Sequence, residues 1–292
     1  MKILFLVFII IIINFLIIIK KLGIGKEIIN TIKKNVNNFD NQIDFRYNEL
    51  TFNDNEYERF LSFHNDLNYI YWLSISYGII NVKTNIIGAY LTKWYKNNYI
   101  KIIDRNSKLS RFLYNFKKKT HISIYDQNGK SIIKNKIYIA FNKENNISND
   151  IEKKLFNIMA EVCGVGEINE DDFFDWILNN SEILSNWFNE LYINSTENLI
   201  NKNLINVVNE KYFVSDEILN DAKSLNNYKN FLCNFVNFKD EKLKDVHMYN
   251  QYIINSVLLG VNDKIKNELG NVYPKFLFDI SNLVKKLNTI DF

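Results

Sequence analysis

The first twenty residues, MKILFLVFIIIIINFLIIIK, constrain the chain most, because every side chain from Ile3 to Ile19 is apolar except Asn14. A helix rises about 1.5 Å per residue, so this run spans roughly 26 Å, close to a bilayer core of about 30 Å. A signal peptide has a shorter apolar core and a small-residue cleavage site, and a buried core helix needs apolar partners on all sides. Among these alternatives, the sequence favours a transmembrane anchor formed by residues 1–20. This anchor contacts the lipid bilayer through residues 3–19.

The basic residues on either side of this run predict its orientation. The amino-terminal side carries Lys2 and the amino terminus. The other side is richer in lysine and has one nearby acid, Glu27; its lysines are Lys20, Lys21, Lys26, Lys33 and Lys34. Because the side with more Lys and Arg stays in the cytoplasm, we expect a single-pass cell-membrane protein with a cytoplasmic body.

The composition after the anchor is that of globular protein, with 24% charged and 47% hydrophobic residues over the 292-residue chain. This length allows one or two domains. A net charge of +3 is too mild to indicate nucleic acid by itself. The two cysteines, Cys163 and Cys233, form no CxxC pair, so neither a zinc site nor a disulfide framework is indicated.

Residues 21–55 are polar and weakly periodic, and predict a juxtamembrane segment that is either a flexible stalk or a short amphipathic helix. A first globular unit follows over 56–145. Its helical spacing predicts one helix over Tyr69–Tyr77 that ends at Gly78, and a second that begins after Thr84. Strand-like runs then lie at Tyr99–Ile103, His121–Tyr125 and Ile137–Phe141, with a turn at Gln127-Asn128-Gly129. Helices followed by a small antiparallel sheet are typical of a winged-helix-like unit.

The pattern repeats in a second unit over 146–214. Helix starts are indicated at Asn149, where Glu152 completes a capping-box spacing, at Asn169 before the acidic turn Glu170-Asp171-Asp172, and at Ser181. A hairpin of Leu204–Val208 and Lys211–Val214 closes this unit. A C-terminal helical segment over 215–292 begins with Ser215 as an N-cap. The fold class is therefore mainly α with small β-hairpins (α+β): the anchor, two winged-helix-like units and a C-terminal helical layer.

Gly260 admits two interpretations. It can end one helix in a left-handed conformation, so that a second starts near Asn262 or Asp263. Alternatively, one helix continues over Val246–Leu269 with Gly260 at a close helix contact, and the unbroken apolar spacing favours this. The residues expected to be largely buried are Trp94, Trp187, Phe188, Leu232, Tyr252 and Leu259.

Three stretches together resemble the C-terminal part of the YciQ-like predicted membrane proteins, the family of unknown function numbered 2207. They are KTNIIGAYLTKWYKNNYIKI from Lys83, YKNFLCNF from Tyr228, and VHMYNQYIINSVLLGVNDKI from Val246, followed by Tyr273-Pro274. The resemblance covers roughly residues 66–276. The chain departs from the family pattern where Tyr249 replaces a tryptophan, where Asn250 and Gln251 replace acids, and where Asn255 and Ser256 replace a Tyr-Ala pair. The resemblance supplies no catalytic residue.

The sequence itself assigns no catalytic, cofactor-binding or metal-binding residue. The histidines His64, His121 and His247 are far apart, and none has a partner at metal-ligand spacing. The acids Glu170-Asp171-Asp172 suit a solvated helix start. No GxxxxGK[ST], GxGxxG or GxSxG motif is present. The tryptophans at helical spacing, Trp72, Trp94, Trp176 and Trp187, are more typical of a core than of a ligand box.

A basic run lies between the predicted strands of the first unit, and it does not identify one binding partner. It comprises Lys108, Arg111 and Lys117-Lys118-Lys119, which can face water, anionic lipid or DNA phosphates. The helix over Thr84–Asn97 has no arginine and little that reads base edges, so nucleic acid is disfavoured. We therefore expect a non-enzymatic, membrane-anchored interaction module with a protein partner. The alternative is a membrane-tethered winged-helix DNA-binding regulator.

Overall fold

A computed structural model describes the chain over residues 42–61, 63, 66–104, 137–142, 145–163, 168–234 and 246–269. The predicted anchor, the strand at His121–Tyr125, the turn at 127–129, the basic run through Lys117–Lys119, and the residues after Leu269 lie outside these ranges. Among the helices of the described ranges, none has the length and apolar character needed to cross a bilayer.

The described chain is mainly helical with a few short strands, so the α+β class is confirmed. The helices are α1 Leu67–Ser76, α2 Asn85–Lys96, α3 Asp150–Cys163, α4 Glu170–Asn179, α5 Ser181–Asn201, α6 Asp216–Cys233, α7 Val246–Leu258 and α8 Asn262–Leu269. The strands are β1 Ile43–Asp44, β2 Ile100–Asp104, β3 Ile137–Phe141, β4 Ile168–Asn169, β5 Ile205–Val208 and β6 Lys211–Val214.

Two three-stranded sheets are described, with strand orders β1-β6-β5 and β2-β3-β4. β1 runs parallel to β6, with Ile43 opposite Tyr212, and the other pairs are antiparallel. The two-residue strands β1 and β4 were not predicted. β4 lies between α3 and α4 but pairs with β3, so the two predicted units share a sheet. Part of the predicted stalk also packs on the body, since Ile43 and Phe45 are buried.

α2 lies at the centre of the core. Nine of its twelve residues are buried, including its polar residues Asn85 and Thr92. Asn85 Nδ2 donates a hydrogen bond to the carbonyl oxygen of Leu258 in α7 at 3.1 Å, which joins the C-terminal segment to the first unit. One buried hydrophobic cluster contains residues from Ile43 to Ile265. The bounds of the two units stay a prediction.

The predicted core residues are confirmed as buried: Trp94, Trp187, Phe188, Leu232, Tyr252 and Leu259 are at most 5% exposed. Three buried tryptophans also join helices through their indole N–H groups. Trp72 donates to Thr196 Oγ1 at 2.9 Å, Trp94 to Glu152 Oε1 at 3.0 Å, and Trp187 to the carbonyl oxygen of Ile151 at 3.0 Å. These rings therefore position α1 against α5, α2 against α3, and α5 against α3.

Several local predictions are confirmed. Gly78 follows α1 with φ +64°, as expected for a residue at the end of a helix. Ser215 Oγ accepts from the amide of Ile218, and thereby caps α6. In the hairpin, Val208 lies opposite Lys211 across the turn Asn209-Glu210, whose φ values of +50° and +64° suit a type I′ turn.

The prediction of one continuous helix through Gly260 is wrong. α7 ends at Leu258, Gly260 has φ +70°, and α8 begins at Asn262. The apolar spacing continues because Val261 and Ile265 are buried in the same core, but spacing does not report the backbone angle at one residue. The close contact is nevertheless present, since a Cβ at Gly260 would lie 3.1 Å from Asn85 Nδ2.

We predict that Gly260→Ala lowers the urea midpoint of the fragment 41–292. A left-handed backbone costs a non-glycine residue about 1–2 kcal/mol, and the added methyl also presses on the Asn85 amide that binds Leu258. Gly78→Ala is the matched control, because Gly78 has φ +64° but no atom within 4 Å of an added Cβ. Both variants should be destabilised, Gly260→Ala the more so. An unchanged or raised midpoint for Gly260→Ala contradicts this account.

Candidate binding cleft

The N-termini of α1 and α3, the C-terminal half of α2 and the middle of α7 enclose a cleft of about 290 Å³. Its lining is mostly polar and comes from four separate parts of the sequence. The lining residues are Asp66, Leu67, Tyr90, Lys93, Asn97, Asn149, Glu152, Gln251, Ile254 and Asn255.

A buried carboxylate forms one wall of the cleft. The Glu152 side chain is only 5% exposed, and its two oxygens accept hydrogen bonds from Lys93 Nζ at 2.6 Å and Trp94 Nε1 at 3.0 Å. The predicted capping spacing holds Glu152 in place, because its backbone amide donates to Asn149 Oδ1 at 2.9 Å. Its side chain reaches across to α2, so this carboxylate joins two helices.

A second network forms the floor. The Tyr90 hydroxyl donates to Asn68 Oδ1, and Asn68 Nδ2 donates to Asn149 Oδ1 at 3.4 Å. Burial raises the pKa of Tyr90 well above its ordinary value, and the carboxylates of Glu152 and Asp66 act in the same direction. The hydroxyl therefore stays protonated at neutral pH and remains a donor. The floor is held in one arrangement, since its polar groups are bound to one another.

The rim of the cleft differs from its floor in how its polar side chains are hydrogen-bonded. Among the described residues, the Asp66 side chain accepts one hydrogen bond, from the amide of Asn68 at 3.0 Å, as the N-cap of α1. Asn97 and Gln251 are exposed, and within the described part of the chain their side chains make no hydrogen bond. The rim therefore presents a carboxylate and two amides to whatever enters the cleft.

A second cavity of about 250 Å³ adjoins the same stretch of α7, and shares Gln251 and Asn255 with the cleft. Its walls include Arg59, Phe60 and Tyr228. The Tyr252 hydroxyl donates to the carbonyl oxygen of Arg59 at 3.2 Å, which fixes the segment before α1 against α7.

No residue of the cleft was predicted from the sequence to be a site residue. Its residues are spread from Asp66 to Asn255, so no local spacing brings them together. The available signals were the Lys93-Trp94 pair in the KTNIIGAYLTKW stretch and the Asn149–Glu152 spacing. Among the residues that the structure describes, no group of His, Cys, Asp or Glu is arranged to hold a metal ion. Cys163 and Cys233 are free thiols, and burial raises the pKa of Cys163 to about 11.

No family model, curated protein or solved structure matches this chain. The resemblance to the YciQ-like proteins therefore stays a prediction. In the structure, four residues of its first stretch have hydrogen-bonding roles between helices: Asn85 binds α7, Tyr90 binds α1, and both Lys93 and Trp94 bind Glu152 of α3.

We predict that the Lys93–Glu152 pair contributes more to stability than a surface pair between the same kinds of residue. A double-mutant cycle with Lys93→Met and Glu152→Gln, read as urea midpoints, should give a coupling energy above about 1 kcal/mol, because Glu152 is buried. Lys154–Glu190 is the matched control; its side chains are 51% and 42% exposed, and its coupling should be about 0–1 kcal/mol. Equal coupling in the two pairs contradicts this prediction.

Proposed function

We propose that the chain is a membrane-anchored, cytoplasmic, non-enzymatic interaction module, and that it binds a partner protein through its β5–β6 hairpin. The observation that carries the proposal is the pair of neighbouring valines, Val207 and Val208, which are 55% and 52% exposed. Residues 206–211 are all exposed, so this end of the hairpin extends beyond the core.

The hairpin also offers a backbone edge. The sheet order β1-β6-β5 places β5 at the side, and in the described ranges no strand pairs with its outer edge. An exposed edge of β-branched residues is a template for another strand. We therefore assign the partner as an extended, apolar segment of another protein that pairs with β5. Its backbone would provide affinity, and its side chains would cover the two valines.

The described polar residues support a non-enzymatic role. The most buried carboxylate of the cleft, Glu152, is bound by Lys93 and Trp94, and the Tyr90 hydroxyl is bound by Asn68. These groups join helices. Helix packing thus explains the hydrogen bonds of both groups without a catalytic role.

The second proposal is a winged-helix DNA-binding regulator, and the order α3, α4, α5, β5, β6 favours it. Two observations make it the weaker one. α2, the candidate recognition helix of the first unit, is largely buried and has no free face for a major groove. α5 carries three glutamates, Glu182, Glu190 and Glu197, and no lysine or arginine, so it would repel phosphates.

We predict that Val207→Lys combined with Val208→Lys abolishes partner binding and leaves stability nearly unchanged. Both side chains are exposed, so the change in free energy of unfolding should lie within about 0.5 kcal/mol. The measurement is crosslinking and copurification of the full chain from membranes. Leu178→Lys with Ile183→Lys is the matched control, since these apolar side chains are 49% and 43% exposed elsewhere. The proposal fails if the hairpin variant retains the partner that the wild type and the control retain.

A gel shift with fragment 41–292 separates the two proposals. This fragment keeps β1, whose pairing with β6 completes the sheet. The interaction-module proposal expects no duplex binding at moderate salt. Binding that weakens steeply with added salt would instead indicate phosphate contacts and favour the DNA-binding regulator.

The proposed topology predicts that the body is inaccessible from outside the cell. A cysteine introduced at the exposed Asn198, in a chain with Cys163 and Cys233 changed to serine, should react with a membrane-impermeant maleimide only after lysis. The chain should also sediment with membranes and resist carbonate extraction. Labelling in intact cells would place the body on the other side of the membrane.

A further inference from the structure

We propose that the cleft between α1, α2, α3 and α7 binds a small, uncharged, polyhydroxylated molecule of about monosaccharide size. The proposal stands apart from the hairpin and its partner, because the lining residues of the cleft and the hairpin residues are different sets.

The size of the cleft limits the ligand. Its volume of about 290 Å³ lies just below the roughly 300–1,000 Å³ typical of pockets for drug-sized molecules. A single sugar ring or a cyclic polyol fits this volume, whereas a folded peptide does not.

The charges in the cleft disfavour an ionic ligand. The lining holds two carboxylates, Asp66 and Glu152, and one ammonium, Lys93. Lys93 and Glu152 neutralise each other at 2.6 Å, which leaves the charge of Asp66 at the rim. An anion would therefore meet an unopposed carboxylate. A cation would meet only Asp66, an exposed carboxylate, and an exposed ion pair contributes about 0–1 kcal/mol.

The remaining polar groups match hydroxyls. Side-chain amides donate and accept hydrogen bonds, as hydroxyls do, whereas a carboxylate only accepts. Asn97 and Gln251 provide two such amides whose side chains bind no other described residue, and the Asn149 amide nitrogen likewise makes no hydrogen bond within the described ranges. Asp66 can accept from adjacent hydroxyls of one ring. Several donors and acceptors therefore converge on one small volume.

Two further features favour binding. Leu67 and Ile254 also line the cleft, and give it an apolar surface for the C–H face of a ring. The floor is already ordered by the Tyr90–Asn68–Asn149 hydrogen bonds, so ligand binding need not fix those side chains. The floor of the cleft is thus fixed before a ligand binds, whereas the side chains at the rim can exchange water for a ligand.

The test is ligand-observed saturation-transfer NMR on the full chain in lauryldimethylamine oxide micelles, whose head group carries no sugar. The probes are glucose, galactose, mannose, N-acetylglucosamine and myo-inositol, with glutamate and spermidine as charged comparators. At least one polyol should show saturable binding, and neither charged comparator should compete for it. The absence of saturable polyol binding, or competition by glutamate or spermidine, overturns the proposal.

Variants locate the binding. Asn97→Ala with Gln251→Ala should weaken polyol binding about tenfold or more, through the loss of two amide contacts. Asn220→Ala, an exposed amide on α6, is the matched control and should bind as the wild type does. The three altered residues are exposed, and unchanged circular dichroism and urea midpoints check that the fold is kept. Equal affinity in the double variant and the control would place the polyol elsewhere and overturn the proposal.

Discussion

The structure depends on the requirement that the polar side chains of a buried helix find partners. α2 lies inside the core, and each of its buried polar groups left unpaired would cost about 1–3 kcal/mol. Asn85 binds α7, Tyr90 binds α1, and Trp94 binds α3. Three neighbouring helices are therefore positioned by the polar residues of one helix. Apolar packing alone tolerates sliding, whereas these hydrogen bonds fix how the helices are placed.

The same requirement produces the cleft. Two of the partners of α2, Asn68 and Glu152, lie near the N-termini of α1 and α3, where polar residues are needed as caps. Asp66 caps α1 and Asn149 caps α3, while both also line the cleft. The residues that cap α1 and α3, and those that join these helices to α2, thus also enclose the polar cleft. This explains why several residues both hold the fold together and line the cleft.

The helices and the hairpin could be predicted because their signals are local. Apolar spacing identified α5 and its buried side chains Trp187 and Phe188, and the capping role of Ser215 followed from its place before an apolar run. The turn Asn209-Glu210 could be placed because two strand-like runs flank it. The remaining features had no local signal. β1 and β4 have two residues each, too few for an alternating pattern, and Gly260 breaks a helix whose apolar spacing continues unchanged. The cleft depends on which helices are neighbours, and that is fixed by contacts between distant residues.

The parallel pairing of β1 with β6 affects where this protein would meet a partner. Ile43 lies opposite Tyr212, so the chain enters the body beside the turn of the hairpin. On the proposed topology, the 23 residues between Ile19 and Ile43 limit the distance of this edge from the bilayer surface to at most about 80 Å. A partner in the same membrane would then search for the valines by lateral diffusion within that distance, at a higher effective concentration than a partner in free solution. A contact too weak to form between two freely diffusing proteins would be adequate there, and would be reversible.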